Sequence, residues 1–343
     1  MTPSLLDLRW RGGGHVESWF FKANDPEGRR ALWLKATVYA KSPNADRSRE
    51  QVPPVAEAWA IAFDRDAGHV VTKSTIPFDR ARFGKGTLDV EVDGCELSLG
   101  HAKGTIANGG RALTWELAVG PERASPIVHL PAARLYETSF PSSKLVTPLA
   151  DGRAKGTVQV QRGPGVAERW DIDGWPAMIG HNWGRAHAHL YAWTHCNLWD
   201  DADDLVFEGV SARVRMGPVL SPMLTAVFLR YRGERFDLNA RELLGKSRGI
   251  ISLRRWEATA ENGSGLRVLA DFGAETDDFV GLHYANPRGS TTHCLNTKLA
   301  RARLDVTLPA RNGTPGRSFV AHSRAAALEI GTRDPHHGVR MYV

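Results

Sequence analysis

The sequence predicts an all-β protein, on three observations. Apolar and polar side chains alternate with period two through much of the chain, the alternating runs recur at roughly 8 to 12 residue spacing, and Gly, Asp and Asn punctuate them. Such spacing indicates a sandwich or barrel and not a βαβ sheet.

In order, the strands expected in the first half are HVESWFFK (15–22), ALWLKATVYA (31–40), VAEAWAIAFD (55–64) and RALTWELAVG (111–120). The second half repeats the style in DDLVFEGVSARVRM (203–216), LTAVFLRYRGERFDL (224–238), ISLRRWEATAENGSGLRVLADF (251–272) and LARARLDVTL (299–308), with ENGSG (261–265) as a hairpin tip. Only ARLYET (133–138) and NARELLGK (239–246) read as short helices, and KSPNADRSREQVPP (41–54) reads as a polar loop. At 343 residues the chain exceeds the size at which one core stops growing, so two domains are expected. The change from a Gly/Pro-rich hairpin to an aromatic stretch puts the boundary near 180, giving 1–180 and 181–343.

That aromatic stretch, GHNWGRAHAHLYAWTHCNLWD (180–200), concentrates four histidines and three tryptophans. From Tyr191 the large or polar side chains Tyr191, Trp193, His195 and Asn197 fall on alternate positions, opposite Ala192, Thr194 and Cys196, which is a strand. Aromatic walls carrying a few polar groups describe a small-molecule site, with core packing as the alternative. His187 and His189, with His181 and His195 nearby, could meet on zinc or iron, but no HExxH, facial-triad or Cys-cluster pattern accompanies them, so no metal is assigned. Turn residues surround His336 and His337, which are expected at the surface.

Several classes are disfavoured. The 44 Lys and Arg against 38 Asp and Glu give +6 without any like-charge run, so no nucleic-acid partner is expected and the charge supports at most weak association with an anionic membrane surface. No apolar leader or ~18-residue apolar span is visible, so a soluble, cytoplasmic chain is expected. Cys95, Cys196 and Cys294 lie far apart and read as free buried thiols. Nucleophilic catalysis lacks a GxSxG elbow, and RGGGH (11–15) lacks the GK[ST] of a phosphate loop.

Four stretches in order, ESWFFK (17–22), DGW to HNWG (173–184), YAWTHCN (191–197) and GSTTHCLNTKLARARLDV (289–306), resemble the tocopherol cyclase family, which is similar to carotenoid 1,2-hydratases and lipocalin-like Diels–Alderases. The resemblance runs from about residue 15 to about 308. It implies two tandem lipocalin-like antiparallel β-barrels, no cofactor, and a hydrophobic, isoprenoid or polyketide-like small molecule held where the barrels meet. The sequence departs from the family pattern at Gly180, where an acid is usual, at His195 in place of Gln, and at His187 to His189 in place of Phe-Pro. All three lie in the expected pocket wall and set the chain apart from chromanol formation.

Protonating an alkene needs an acid that keeps its proton near pH 7 and walls that tolerate a cation. Glu17, between His15 and Trp19 on one strand face, is the candidate donor, because burial raises a carboxyl pKa. His181 and His195 are the other catalytic candidates, and Trp19, Trp183, Tyr191, Trp193 and Asn197 the ligand contacts. The expected function is a cofactor-independent cyclase, hydratase or isomerase of an alkene, with a non-catalytic carrier of the same ligand as the alternative. Oligomeric state has no signature in the sequence.

Overall fold

The structure, a computed structural model, describes residues 5–43, 52–165, 167–216, 219–239, 247–310 and 315–343. The expected helix at 239–246 and the centre of the 41–54 loop lie outside the described residues. Elsewhere the chain is nearly all strand. Of the expected helix at 133–138, only a 3-10 turn over Ala133–Tyr136 forms. No helix among the described residues is long and apolar enough to cross a membrane.

The first antiparallel sheet holds β1 (His15–Asn24), β2 (Arg30–Ala40), β3 (Val55–Asp64), β4 (Val70–Pro77), β5 (Arg82–Phe83), β6 (Asp89–Val92), β7 (Cys95–Ser98), β8 (His101–Asn108), β9 (Arg111–Val119), β10 (Ile127–Val128), β11 (Ser143–Gln161) and β12 (Glu168–Gly184). Its order is β4-β3-β2-β1-β12-β11-β9-β8-β7-β6-β5, with β10 paired to β11. It curls until β4 packs near β8 and β9. A small hairpin of β15 (Arg215–Met216) and β16 (Val219–Leu220) stands apart from the second sheet, which holds β13 (Leu190–Cys196), β14 (Leu205–Arg213), β17 (Leu224–Tyr231), β18 (Glu234–Leu238), β19 (Arg248–Ile251), β20 (Arg255–Glu261), β21 (Arg267–Gly273), β22 (Val280–Ala285), β23 (Thr291–Leu308) and β24 (Arg317–Thr332). Its order, β18-β17-β14-β13-β24-β23-β21-β20-β19 with β22 on β23, repeats the plan of the first. In each, a four-strand meander is joined through its first strand to the last strand of the unit. This tandem of curled antiparallel sheets is the architecture that the resemblance implies. The chain changes sheets between Gly184 and Leu190, so residue 180 falls inside β12.

Alternation assigns each face of the central strands. On β1, Trp19, Phe21 and Ala23 enter the core of the first unit, while Phe20 joins a separate cluster with Trp33, Trp59 and Phe63 that meets Trp193, Tyr284, Cys294 and Ala327 of the second unit. On β13, Ala192 and Cys196 enter the core of the second unit, and Trp193 faces the first. The two units therefore pack through one face of each first strand, with Phe20 edge-on to Trp193 at 5.4 Å.

Polar groups on those faces cross-link the units. The fully buried Lys22 donates to Asn24 (2.8 Å) and to Asn197 (2.9 Å). Asn24 donates to the Lys298 carbonyl (2.6 Å), and Asn197 to the Ala177 carbonyl (3.0 Å) and to Asp151 (2.9 Å). Burial pulls the Lys22 amine down to about 8, with Lys298 adding to the effect and Asp151 opposing it. Between about pH 8 and 10.5 the unfolded chain binds a proton at Lys22 that the folded chain has released, so this group's contribution to stability rises with pH through that window. Urea unfolding of Lys22→Met and of the unsubstituted protein should thus differ by an amount that moves in favour of the unsubstituted protein between pH 8 and 10. A difference constant with pH would contradict the buried, depressed amine.

Candidate functional site

Between the two units lies a cavity of about 240 Å³. The first unit contributes Val16 and Phe20 from β1, Trp33 and Lys35 from β2, Lys144 and Leu145 from β11, Trp183 from β12, and His129 from the segment after β10. Tyr191, Trp193, Val210, Leu224, Tyr284 and Glu329 close it from the second. The walls are mostly apolar, with polar side chains such as Lys35, His129 and Glu329 set among them, as in small-molecule sites.

One polar constellation joins both units at the wall. The Glu208 carboxylate of β14, wholly buried, accepts from Trp193 Nε1 (2.7 Å), from Thr147 Oγ1 (2.8 and 3.0 Å) and from His129 Nε2 (3.0 Å). Burial pushes its pKa up, but His129, the nearby His195 and the Trp193 indole outweigh that and bring it to about 2. An ionised carboxylate only accepts, so His129 Nε2 donates to it, while His129 Nδ1 has no hydrogen-bond partner among the described residues. The His129 ring borders the cavity. An imidazole oriented by a carboxylate at a cavity wall has the arrangement that general acid/base chemistry requires.

Trp183, Tyr191 and Trp193 border the cavity, while Glu17, Trp19, His181, His195 and Asn197 do not. Asn197 belongs to the cross-link of the two units. His195 is fully buried behind the wall, its ring stacked on Trp193 at 6.3 Å and its Nε2 donating to the Ala150 carbonyl (3.0 Å). Burial and the neighbouring Lys22 push it down to about 3, so it is neutral. The histidines of 180–200 disperse: His187 stacks on Tyr284 at 5.1 Å, and the His189 backbone bonds Arg213.

The structure places Glu17, expected as the proton donor, away from the cavity lining. Alternation turns Glu17, with Trp19, toward the interior of the first unit, one residue out of phase with Val16 and Phe20 on the cavity side. Its oxygens accept from the Arg9 backbone (2.8 and 3.0 Å), His15 Nε2 (2.7 Å) and His181 Nε2 (2.9 Å), whose Nδ1 bonds the Leu5 carbonyl (2.8 Å). Trp19 stacks on His181 at 4.7 Å. Burial raises the Glu17 pKa, but the hydrogen bonds and charges of the two histidines exceed that and leave it lowered. Glu17 is therefore held ionised, clamping the N-terminal segment onto β1 and β12. Sequence reasoning missed His129, Glu208 and Lys35; only the cross-strand partnering of Glu208 with His195 on β13 was accessible to a pairing argument.

A depressed carboxylate contributes stability that is full above its ordinary value of 4.5 and fades as pH falls below it. Glu17→Gln should cost about 1 to 3 kcal/mol at pH 7, with the loss shrinking below about pH 4; chemical unfolding across pH measures both. An undiminished loss at pH 3 would contradict the ionised clamp.

Comparison with known proteins places these observations. Residues 92–332 match the family model described as tocopherol cyclase-like. The chain is 25% identical over 314 residues to two proteins of Mycobacterium tuberculosis, Rv0493c of strain H37Rv and MT0513 of strain CDC 1551, both described as uncharacterized, covering 89% of this chain and 85% of each relative. Among solved structures it is similar to an AttH-type protein of Nitrosomonas europaea (TM-score 0.52, 13% identity, 94% of this chain and 93% of that one) and to CghA (TM-score 0.56, 12% identity, 93% and 88%), also solved with Sch210972. At those identities the structures speak for the fold alone. With the family model spanning most of its length and the fold agreeing, the chain belongs to the tocopherol cyclase-like family.

Proposed function

We propose that this protein is a cofactor-independent, cyclase-type enzyme acting on an alkene of an apolar small molecule held between the two units. The observation that carries the reading is the aromatic-walled cavity bordered by an imidazole that a buried carboxylate orients. Family membership supports the cyclase class. Phe20, Trp33 and Trp193 would fold the substrate by shape, while His129 moves a proton at the reacting end.

The charges behind the walls refine the chemistry. Lys298 lies 5.4 Å from the Trp33 ring and 5.5 Å from the Trp193 ring, and Lys35 lies 3.7 Å from the Tyr284 ring. Ring faces that already hold ammonium groups are poor seats for a substrate cation. Ring closure without a free carbocation, assisted by proton transfer at His129, suits this cavity better than Markovnikov protonation and capture.

Mass spectrometry of lipophilic compounds co-purifying with the protein identifies the ligand, and incubation with chelator-dialysed, nucleotide-free protein tests turnover. His129→Gln, which can still donate to Glu208, should lower kcat by roughly 10²- to 10⁴-fold while preserving binding. A ligand returned unchanged makes the protein a carrier; turnover that requires an added cofactor refutes the cofactor-free reading; full kcat in His129→Gln removes the imidazole from the reaction.

A further inference from the structure

The cavity has one polar end that acid/base chemistry at His129 does not use. Lys35, 7% exposed, lies over the Tyr284 ring at 3.7 Å and has no hydrogen-bond acceptor among the described residues. Among the described residues no carboxylate oxygen stands within ion-pair distance of it. The two nearest acids are committed elsewhere: Glu329 Oε1 binds Lys298 Nζ at 2.9 Å with Cys294 Sγ against its other oxygen, and Glu57 Oε1 binds Lys73 Nζ at 2.7 Å. The other amine at the wall, Lys144, donates to the Pro141 carbonyl at 2.8 Å. A buried cation without a counter-charge is costly unless an anion joins it.

We infer that Lys35 receives the carboxylate of an apolar monocarboxylic acid whose chain lies along the cavity, making the substrate an unsaturated acid. Three observations favour a carboxylate over a neutral oxygen. Three amines, Lys35, Lys73 and Lys298, share two carboxylates, Glu57 and Glu329, which pair with Lys73 and Lys298, so Lys35 is left without a counter-charge among the described residues. Lys35, His187 and Tyr284 also border a second pocket lined by Glu57 and Lys73, so polar groups gather on this side of the cavity, apart from His129. Burial draws the Lys35 amine down to about 8, with Glu329 and Glu57 opposing and Lys73 assisting, which leaves it mostly charged at pH 7.

This substrate class rests on the proposed alkene-cyclising role of the same cavity, but the binding test is independent of turnover. Octanoate and 1-octanol share one apolar chain and differ only in the polar head, so they serve as probes of this cavity. Calorimetry at pH 7 should find octanoate about 10- to 100-fold tighter than octanol, as a charge-assisted hydrogen bond in a buried site implies. Lys35→Met should erase the preference without weakening octanol, and Lys35→Arg should retain part of it. Equal affinities in the unsubstituted protein overturn the carboxylate site and leave the cavity reading standing, whether or not the variants fold. A preference that survives Lys35→Met also overturns it, and binding of neither probe refutes the apolar cavity itself and this inference with it.

Discussion

Two asparagines at matching strand ends hold the molecule together. Asn24 ends β1 and Asn197 follows β13, the first strands of the two units, and each donates its side-chain amide to a backbone carbonyl of the opposite unit. Buried amides and carbonyls left without partners cost about 1 to 3 kcal/mol each. Sliding one sheet over the other would orphan both asparagines together with Lys22, which Asn24 and Asn197 jointly satisfy. Apolar packing of Phe20, Trp33 and Trp193 supplies adhesion without direction, so the polar cross-link sets the registry. Cavity shape depends on that registry, since its walls come from both sheets.

Burial acts with opposite outcomes on the acids and the amines of this interface. Glu208 and Glu17 are wholly buried, yet both carry lowered pKa values, because donors surround each carboxylate and the local bonds exceed the desolvation. Lys22 and Lys35 are drawn down to about 8 because no carboxylate touches either amine closely enough to compensate. The same low polarity therefore fixes carboxylates as charged scaffold and leaves amines as groups responsive to a ligand. That asymmetry overturns the simplest inference from burial, in which a carboxyl among aromatic rings retains its proton.

Much of this was legible from alternation, and what was not follows from phase and partnering. Period two in YAWTHCN correctly separates Trp193 and His195 from Ala192 and Cys196, and the order of motifs points to the tandem architecture. Periodicity cannot tell which of two buried faces meets a cavity when both are apolar. On β1 both faces are fully covered, so Glu17, Trp19 and Phe21 looked as suitable as Val16 and Phe20. His129 sits beyond a two-residue strand in a segment with no periodic signal, and Glu208 reads as an ordinary polar position in LVFEGVSAR. Their value arises only when β10 to β11 and β14 are brought together across the interface, a long-range event that no local pattern encodes.

The departure at Gly180 gains a physical account in the same terms. A Cβ there would collide with the Phe20 ring, so no larger side chain fits at this position beside Phe20. Phe20 also packs edge-on to Trp193 and borders the cavity. With glycine on β12, the Phe20 ring on β1 extends the apolar contact between the units. Two ionisable groups at the cavity reach across the interface: His129, held by Glu208 of the opposite unit, and Lys35, resting on Tyr284 of the opposite unit. Neither unit alone assembles an oriented imidazole or positions the ammonium, so the reactive site is a property of the docked pair.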